Sequence, residues 1–345
     1  PPGAGALVAT LRRAGGSCRC TGVPSKFVVR ESGHTSEKAR KSCLWVTVTE
    51  NMPNDLPAGA AVTYRRWRKL TIAKLLLVAT GVWWGLCMQL IFYGGAGHPL
   101  AQLPNVDWYI GMMLVYSYRL FTSRDARFAR VRQRDMLPIA LCDFVGTVGT
   151  TVGLEYAGSA IFGIIFASVT VWSAMFTCLI LKKRQTRKQT LGILAVVAGL
   201  TLPVLEVSDA DPVDESEVHI GIALTCVGTL FYSLEYVLCE RVFTLHDKPS
   251  DAKEVCFWTG AWGLSFTCVW LAFVTVPRWR ELVTDEVAAA GGSPALLMFL
   301  YATHCLNNSV HNVAWFTVCE LESGVSTGLL MGLKAASLFF ASAAF

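Results

Sequence analysis

Between Ala160 and Leu181 the chain carries no formal charge, and the run then meets Lys182-Lys183-Arg184, with Arg187-Lys188 close behind. A bilayer core about 30 Å thick takes about 20 apolar residues to cross at the rise of an α-helix. This run supplies them, and a basic cluster at its end is the mark of a span that stops in the cytoplasm. The unit opens further back, at Asp143, a polar residue inside the apolar run Leu141-Cys142-Asp143-Phe144-Val145.

The rest of the chain repeats this pattern. Of its residues 53% are hydrophobic and 16% charged, and the apolar ones are gathered in long runs, which points to an all-α polytopic membrane protein. Nine spans are expected, at residues 72–93, 106–121, 137–154, 159–181, 191–205, 220–238, 256–276, 294–318 and 324–345. The second has the weakest signal and carries Arg119 near its end, where a long side chain snorkels to the interface. Pro277 to Gly292 reads as a surface loop. The net charge of +5 sits in short clusters at the ends of apolar runs, a topology signal rather than a nucleic-acid patch. The expected partners are therefore the lipid bilayer and a small molecule, with no nucleic acid. Most of the twelve cysteines fall inside spans and read as small packing residues. Neither zinc-site spacing nor a secreted disulfide framework is present, and Cys18-x-Cys20 is too short for a metal site. No cofactor or metal is expected.

Lysine and arginine alternate between the ends of the spans. They crowd before span one (Arg65-Arg66-Trp67-Arg68-Lys69), after span two (Arg124, Arg127, Arg130, Arg132, Arg134) and after span four. They are missing after spans one, three and five. The positive-inside rule then puts the N-terminus in the cytoplasm. The acidic loop from Glu206 to Glu217 agrees, although acidic residues orient weakly. The membrane itself is left open among Golgi or endoplasmic reticulum, endosome and plasma membrane. Three regions follow: a polar arm, 1–68; a first transmembrane half, 69–207; and a second half, 208–345. The first methionine is Met52, so residues 1–51 read either as upstream of a start at Met52 or as a targeting arm.

An internal repeat relates the halves. A shift of 165 positions sets Leu141 on Leu306, Asp143 on Asn308, Val145 on Val310, Val148 on Val313, Glu155 on Glu320 and Gly163 on Gly328. Spans three and four thus match spans eight and nine without a gap. Copies five spans apart cross in opposite senses, which gives an inverted repeat of five helices, the layout of many transporters. Nine helices are seen, and the repeat predicts a tenth after Phe345.

The run Glu155-Tyr156-Ala157-Gly158-Ser159-Ala160 through Leu181-Lys182-Lys183, followed by Thr190-Leu191-Gly192-Ile193-Leu194-Ala195, resembles the fourth and fifth helices of the drug/metabolite transporter superfamily (EamA-like). Tyr236-Val237-Leu238-Cys239-Glu240-Arg241-Val242-Phe243 is similar to the end of the sixth helix in the solute carrier 35 group, with arginine in place of a usual lysine. Val325-Ser326-Thr327-Gly328-Leu329-Leu330-Met331-Gly332 is similar to the ninth. The resemblance covers roughly Lys69 to Phe345 and implies a transporter. Nucleotide-sugar members carry a lysine before the ninth-helix glycine. Met331 stands there and a lysine comes later, at Lys334, which argues against a nucleotide sugar.

Charges inside spans are costly and tend to face a cavity or a partner. Asp143 and Lys334 lie deepest. Either they form a central site, Lys334 meeting an anionic substrate and Asp143 coupling to a cation, a proton or Lys334, or they are a structural ion pair. Asp143 moves to the cytoplasmic interface if its span starts later. Span eight presents His304, Asn307, Asn308 and His311 on one helix face, read as cavity lining or as polar helix contacts. No cysteine or carboxylate completes a metal set with them. Asn307-Asn308-Ser309 matches a glycosylation sequon that a span would bury. Glu235, near Tyr232 and Tyr236, either lines the cavity or snorkels outward. Glu240 and Arg241 read as interfacial, and Glu155 and Glu320 as helix-end residues. The small faces Gly324-Gly328-Gly332-Ala336 and Gly146-Gly149-Gly153 allow close helix packing, a homodimer, or rocking during transport.

The candidate substrate-binding residues are therefore Asp143, Glu235, His304, Asn308, His311 and Lys334, in a secondary transporter of a small polar, anionic metabolite rather than an enzyme. The rival readings are an integral membrane enzyme, for which no catalytic pattern connects these residues, and a non-transporting scaffold.

Overall fold

The computed structural model describes residues 58–122, 131–204, 215–245 and 250–342. The arm up to residue 57, with Met52 and Cys18-x-Cys20, lies outside them. So do Arg124, Arg127 and Arg130, most of the acidic loop, and the expected tenth span. The described residues form helices joined by turns, with no strand among them.

Helix α1 (Ala58–Tyr93) is followed by α2 (Leu103–Thr122), α3 (Gln133–Ala167), α4 (Val169–Ile180), α5 (Arg187–Val204), α6 (Glu215–Leu245) and α7 (Ala252–Trp270). The short α8 (Glu286–Ala289), α9 (Pro294–Leu321) and α10 (Gly324–Ser342) complete the order. Starts follow ordinary capping chemistry. The Asp251 carboxylate accepts the Lys253 amide ahead of α7, and Pro294 opens α9, where its missing N–H costs nothing. Five segments are long and apolar enough to cross a membrane: Thr63–Tyr93, Gln133–Gly158, Ile161–Ile180, Ser216–Thr244 and Ala252–Arg278. Large apolar side chains such as Leu75, Leu179, Leu191 and Met298 point outward along them and their neighbours, as lipid-facing surface does. The chain is an all-α polytopic membrane protein.

Spans three and four join differently from the expectation. The helix carrying the third span continues past 154 and turns at Gly158, whose φ of 71° lies in the left-handed region that glycine enters freely. It breaks again only at Ser168, ahead of α4. Ser323, the second of the two non-helical residues between α9 and α10, stands 165 positions after Gly158. The two joints thus obey the same shift as the sequence repeat. Helices alternate in direction between a basic end, where Lys69 pairs with Glu320, and an opposite end, where the Tyr301 hydroxyl meets the Ala96 carbonyl. α3 leaves the basic end and α9 arrives at it, so the matched helices cross in opposite senses.

Pro277 to Gly292 is not a loop for most of its length. The helix widens over Leu271–Thr275, tightens at Val276–Arg278, widens again over Arg280–Asp285 and runs into α8. Pro277 sits in the first turn of the tight segment, where no N–H is needed, and the wide turns absorb the change of register around it.

The interior is set by small residues. α3 lies closely against α6: a Cβ on Gly149 would stand 3.0 Å from the Leu224 carbonyl and 3.1 Å from Gly228 Cα. α10 turns its own small face to α4, and the Thr170 hydroxyl donates to the Gly328 carbonyl at 2.9 Å. At Gly149 and Gly328 the two small-residue faces thus pack inside the chain.

Candidate functional site

Between the two ends of the bundle α1, α2, α3, α6, α9 and α10 surround a cavity of about 30 Å³. Trp84, Trp108, Phe166, Tyr232, Tyr236 and Trp315 make most of the wall aromatic. Four ionisable side chains interrupt it: Asp143 from α3, Glu235 from α6, His311 from α9 and Lys334 from α10. All four are buried.

Lys334 holds its ammonium 4.1 Å from the centre of the Trp84 ring and 5.7 Å from that of Phe166. Its stem lies across Gly81, where a Cβ would stand 2.6 Å from Lys334 Cδ. Among the described residues no carboxylate lies within ion-pair distance of it. The structural Asp143–Lys334 pair entertained from sequence is therefore not formed. The two side chains face one cavity without touching, and the faces of the Trp84 and Phe166 rings lie close to the ammonium.

Asp143 does not sit at the interface. It is 3% exposed, and one of its carboxylate oxygens is buried without a hydrogen-bond partner. Glu235 does not snorkel. It is likewise 3% exposed, in the same wall as Asp143. Around them the Thr147 hydroxyl and the Tyr232 hydroxyl share a 2.8 Å hydrogen bond. His311 Nδ1 is held by the Thr80 hydroxyl at 2.9 Å, and its Nε2 is buried and unpartnered.

The rest of the polar stripe on α9 goes elsewhere. His304 lines a second, smaller cavity of about 10 Å³ that shares Trp84, Trp108 and Tyr232 with the first and lies toward the opposite end. There its Nδ1 is hydrogen-bonded to Asp107 of α2. Asn308 lines neither cavity. It packs beside Gly111 of α2, approaches His304 Nδ1 at 3.2 Å and accepts through its carbonyl from Asn312 at 3.0 Å. Asn307 donates to the Thr80 carbonyl at 3.0 Å. The stripe thus divides between cavity lining and helix contacts, the two readings that the spacing left open.

Three residues escaped the sequence reading. Asp107 stands near the start of a weakly apolar span, and only its distant partner gives it meaning. Trp84 looked like one more apolar residue in α1. Glu240 read as interfacial, and what the sequence did not give is that it is 4% exposed and has partners on two other segments. One of its oxygens accepts Lys183 and the other the Gly324 amide, each at 2.8 Å. It closes the basic end together with Lys69–Glu320 at 3.4 Å, Lys74–Glu322 at 2.6 Å and the Arg66 guanidinium on the Leu321 carbonyl at 3.1 Å. Except for the Glu240–Gly324 bond, which ties α6 to α10, each of these joins α1 or the end of α4 to α6 or to α9 and the turn after it.

Fold and cavity together define a polytopic helical membrane protein with a charged, aromatic-walled site buried between the two ends of the bundle. The chain is 32% identical over 114 residues to solute carrier family 35 member F6 of Homo sapiens and 31% identical over 114 residues to that of Rattus norvegicus. Each match covers 32% of this chain and 31% of the relative, so the chain spans less than a third of those proteins' length in homologous sequence. An uncharacterized protein of Schizosaccharomyces pombe is 22% identical over 176 residues, which cover 48% of this chain and 53% of that one. No protein-family profile matches. Over the 114 matched residues the chain is similar to solute carrier family 35 member F6.

Proposed function

We propose that the chain is a secondary transporter that carries a small polar metabolite with an anionic group through the central cavity by alternating access. The observation that carries this reading is Lys334: a buried ammonium facing a cavity, supported by ring faces, with no carboxylate paired to it. An unpaired charge at such depth is costly, and an anionic group entering the cavity offsets that cost. Asp143 and Glu235 on the other wall would receive hydrogen-bond donors or a positive group of the same molecule. His311 would line its path, while His304 and Asn308 lie outside this substrate site. Homology to a solute carrier supports transport over an enzyme or a scaffold. The N-terminus faces the cytoplasm in this reading, and the contacts at the basic end are those that part when the cavity opens that way.

The test is counterflow into proteoliposomes carrying the full chain, with pooled labelled sugar phosphates, nucleotide sugars, amino acids, nucleosides and organic cations. Accumulation of an anionic class that scales with unlabelled compound inside is expected, and Lys334→Ala should abolish it while the protein stays folded. Unchanged uptake by Lys334→Ala would remove the lysine from the site.

A further inference from the structure

The second cavity holds a pair of groups that the substrate site does not use. Asp107 and His304 are both buried, and their side chains are bonded to each other. Each keeps one further polar atom, Asp107 Oδ1 and His304 Nε2, buried and without a partner. An ionised carboxylate only accepts hydrogen bonds, so the hydrogen between them belongs to His304 Nδ1. In the tautomer with Nδ1–H toward Asp107, Nε2 of the neutral ring carries a free lone pair, and His304 forms part of the wall of the cavity that shares Trp84, Trp108 and Tyr232 with the central one. A second proton on Nε2 turns the ring into an imidazolium whose charge Asp107 balances directly. The loaded pair is then neutral and the unloaded pair carries a single negative charge.

Few other charges compete for this role. The titratable groups that sense the pair electrostatically are Cys87 on α1 and Tyr301, Cys305 and His311 on α9. Lys334 on α10 acts on His311, as His304 does. None of these is bonded to Asp107 or His304, whereas those two are bonded to each other. The pair is also placed for coupling. Trp84 and Trp108 wall both cavities, the ring of Trp84 lies 6.4 Å from that of His304, and its face carries the Lys334 ammonium. A change of charge at His304 is therefore felt one ring away from the Lys334 ammonium.

We propose that Asp107 and His304 form a proton-binding site that couples substrate movement to a proton gradient across the membrane. The proton adds to His304 Nε2 from the second cavity and leaves by the same nitrogen once access has changed sides. This rests on the transporter reading above.

The experiment uses the full chain in proteoliposomes, with the pooled labelled metabolites as probe and a pH gradient of one unit imposed. For one proton per cycle, that gradient changes the steady-state accumulation ratio about tenfold. It raises or lowers the ratio according to the direction in which the proton moves. The readout for each protein is this response divided by its own counterflow. His304→Gln and Asp107→Asn should reduce the tenfold response to none. A variant that keeps the response of the parent overturns the proposal, as does a parent that shows counterflow and ignores the gradient. Should both variants lose counterflow, a pH dye inside vesicles of the parent decides. A pH change on addition of the transported pool supports the coupling, and its absence overturns it. No counterflow by the parent in any pool defeats the transporter reading first, and the coupling with it.

Discussion

Glu240 divides its carboxylate between Lys183, 2.8 Å from one oxygen, and the N–H of Gly324, 2.8 Å from the other. The second bond satisfies one of the free amides at the start of α10 and sets an anion against the positive end of that helix. It therefore holds in place the helix that carries Lys334. Lys183 is 48% exposed, so the ion pair is screened and contributes under about 1 kcal/mol. The amide contact matters more. Glu240→Ala should lower stability by about 1–3 kcal/mol, while Lys183→Ala should change it by less than about 1 kcal/mol. Thermal unfolding of the two variants in detergent, side by side, checks the ratio.

Lys74 on α1 and Glu322, beyond the end of α9, are 2.6 Å apart. If the basic end is the side that opens, Lys74→Glu should expose the cavity to that side. Thr150→Cys, at a wall position of the cavity, in a background whose native cysteines are replaced, supplies the reporter. Its labelling by an impermeant maleimide added at the basic side should rise several-fold in Lys74→Glu and return toward the parent rate in the Lys74→Glu/Glu322→Lys swap. Equal rates in all three would separate this contact from gating.

Gly81 and Lys334 occupy one space. A methyl group at Gly81 would lie 2.6 Å from Lys334 Cδ and 2.7 Å from Cγ, so Gly81→Ala has to push the lysine off the Trp84 ring. Alanine favours the helix by up to about 1 kcal/mol, so the protein should fold at least as well. The KM for the anionic substrate should rise about tenfold, a loss of about 1.4 kcal/mol in binding. Counterflow titrations of parent and variant measure it.

Two glycines on adjacent legs of α3 should behave oppositely. A Cβ on Gly149 meets backbone atoms of Leu224 and Gly228 at 3.0–3.2 Å, and backbone cannot step aside without moving a helix. Gly149→Ala should cost about 1–3 kcal/mol. Nothing lies within 4 Å of a Cβ on Gly163, so Gly163→Ala should be neutral or stabilising by up to about 1 kcal/mol. Melting temperatures of the purified variants decide.

Much of this architecture is legible in the chain because lipid imposes a simple code. Apolar length sets the helices and basic clusters set their ends, and a lone Asp143 or Lys334 in such a run has few places to go but inward. What stayed hidden depended on contacts made across the bundle. Asp107 near the head of a weak span looks like any helix-end acid until His304, nearly 200 positions later, is found against it. Glu240 looks like the polar close of α6, because nothing near it in sequence says that another helix starts there. Pro277 reads as a stop, yet the wide turns on either side let the helix pass it.

The two ends of the bundle are held by different chemistry. At the basic end lysines and an arginine of the α1–α5 portion meet carboxylates and a carbonyl of the α6–α10 portion. At the other, Trp270, Thr275 and Tyr301 donate to the carbonyls of Leu100, Ala101 and Ala96, with no charge taking part. Mobile ions screen the first kind of contact and leave the second nearly untouched. Ionic strength is therefore a lever with only one arm on this molecule: raising it loosens the bundle at the basic end alone, and a concentration step on that side biases which way the cavity faces.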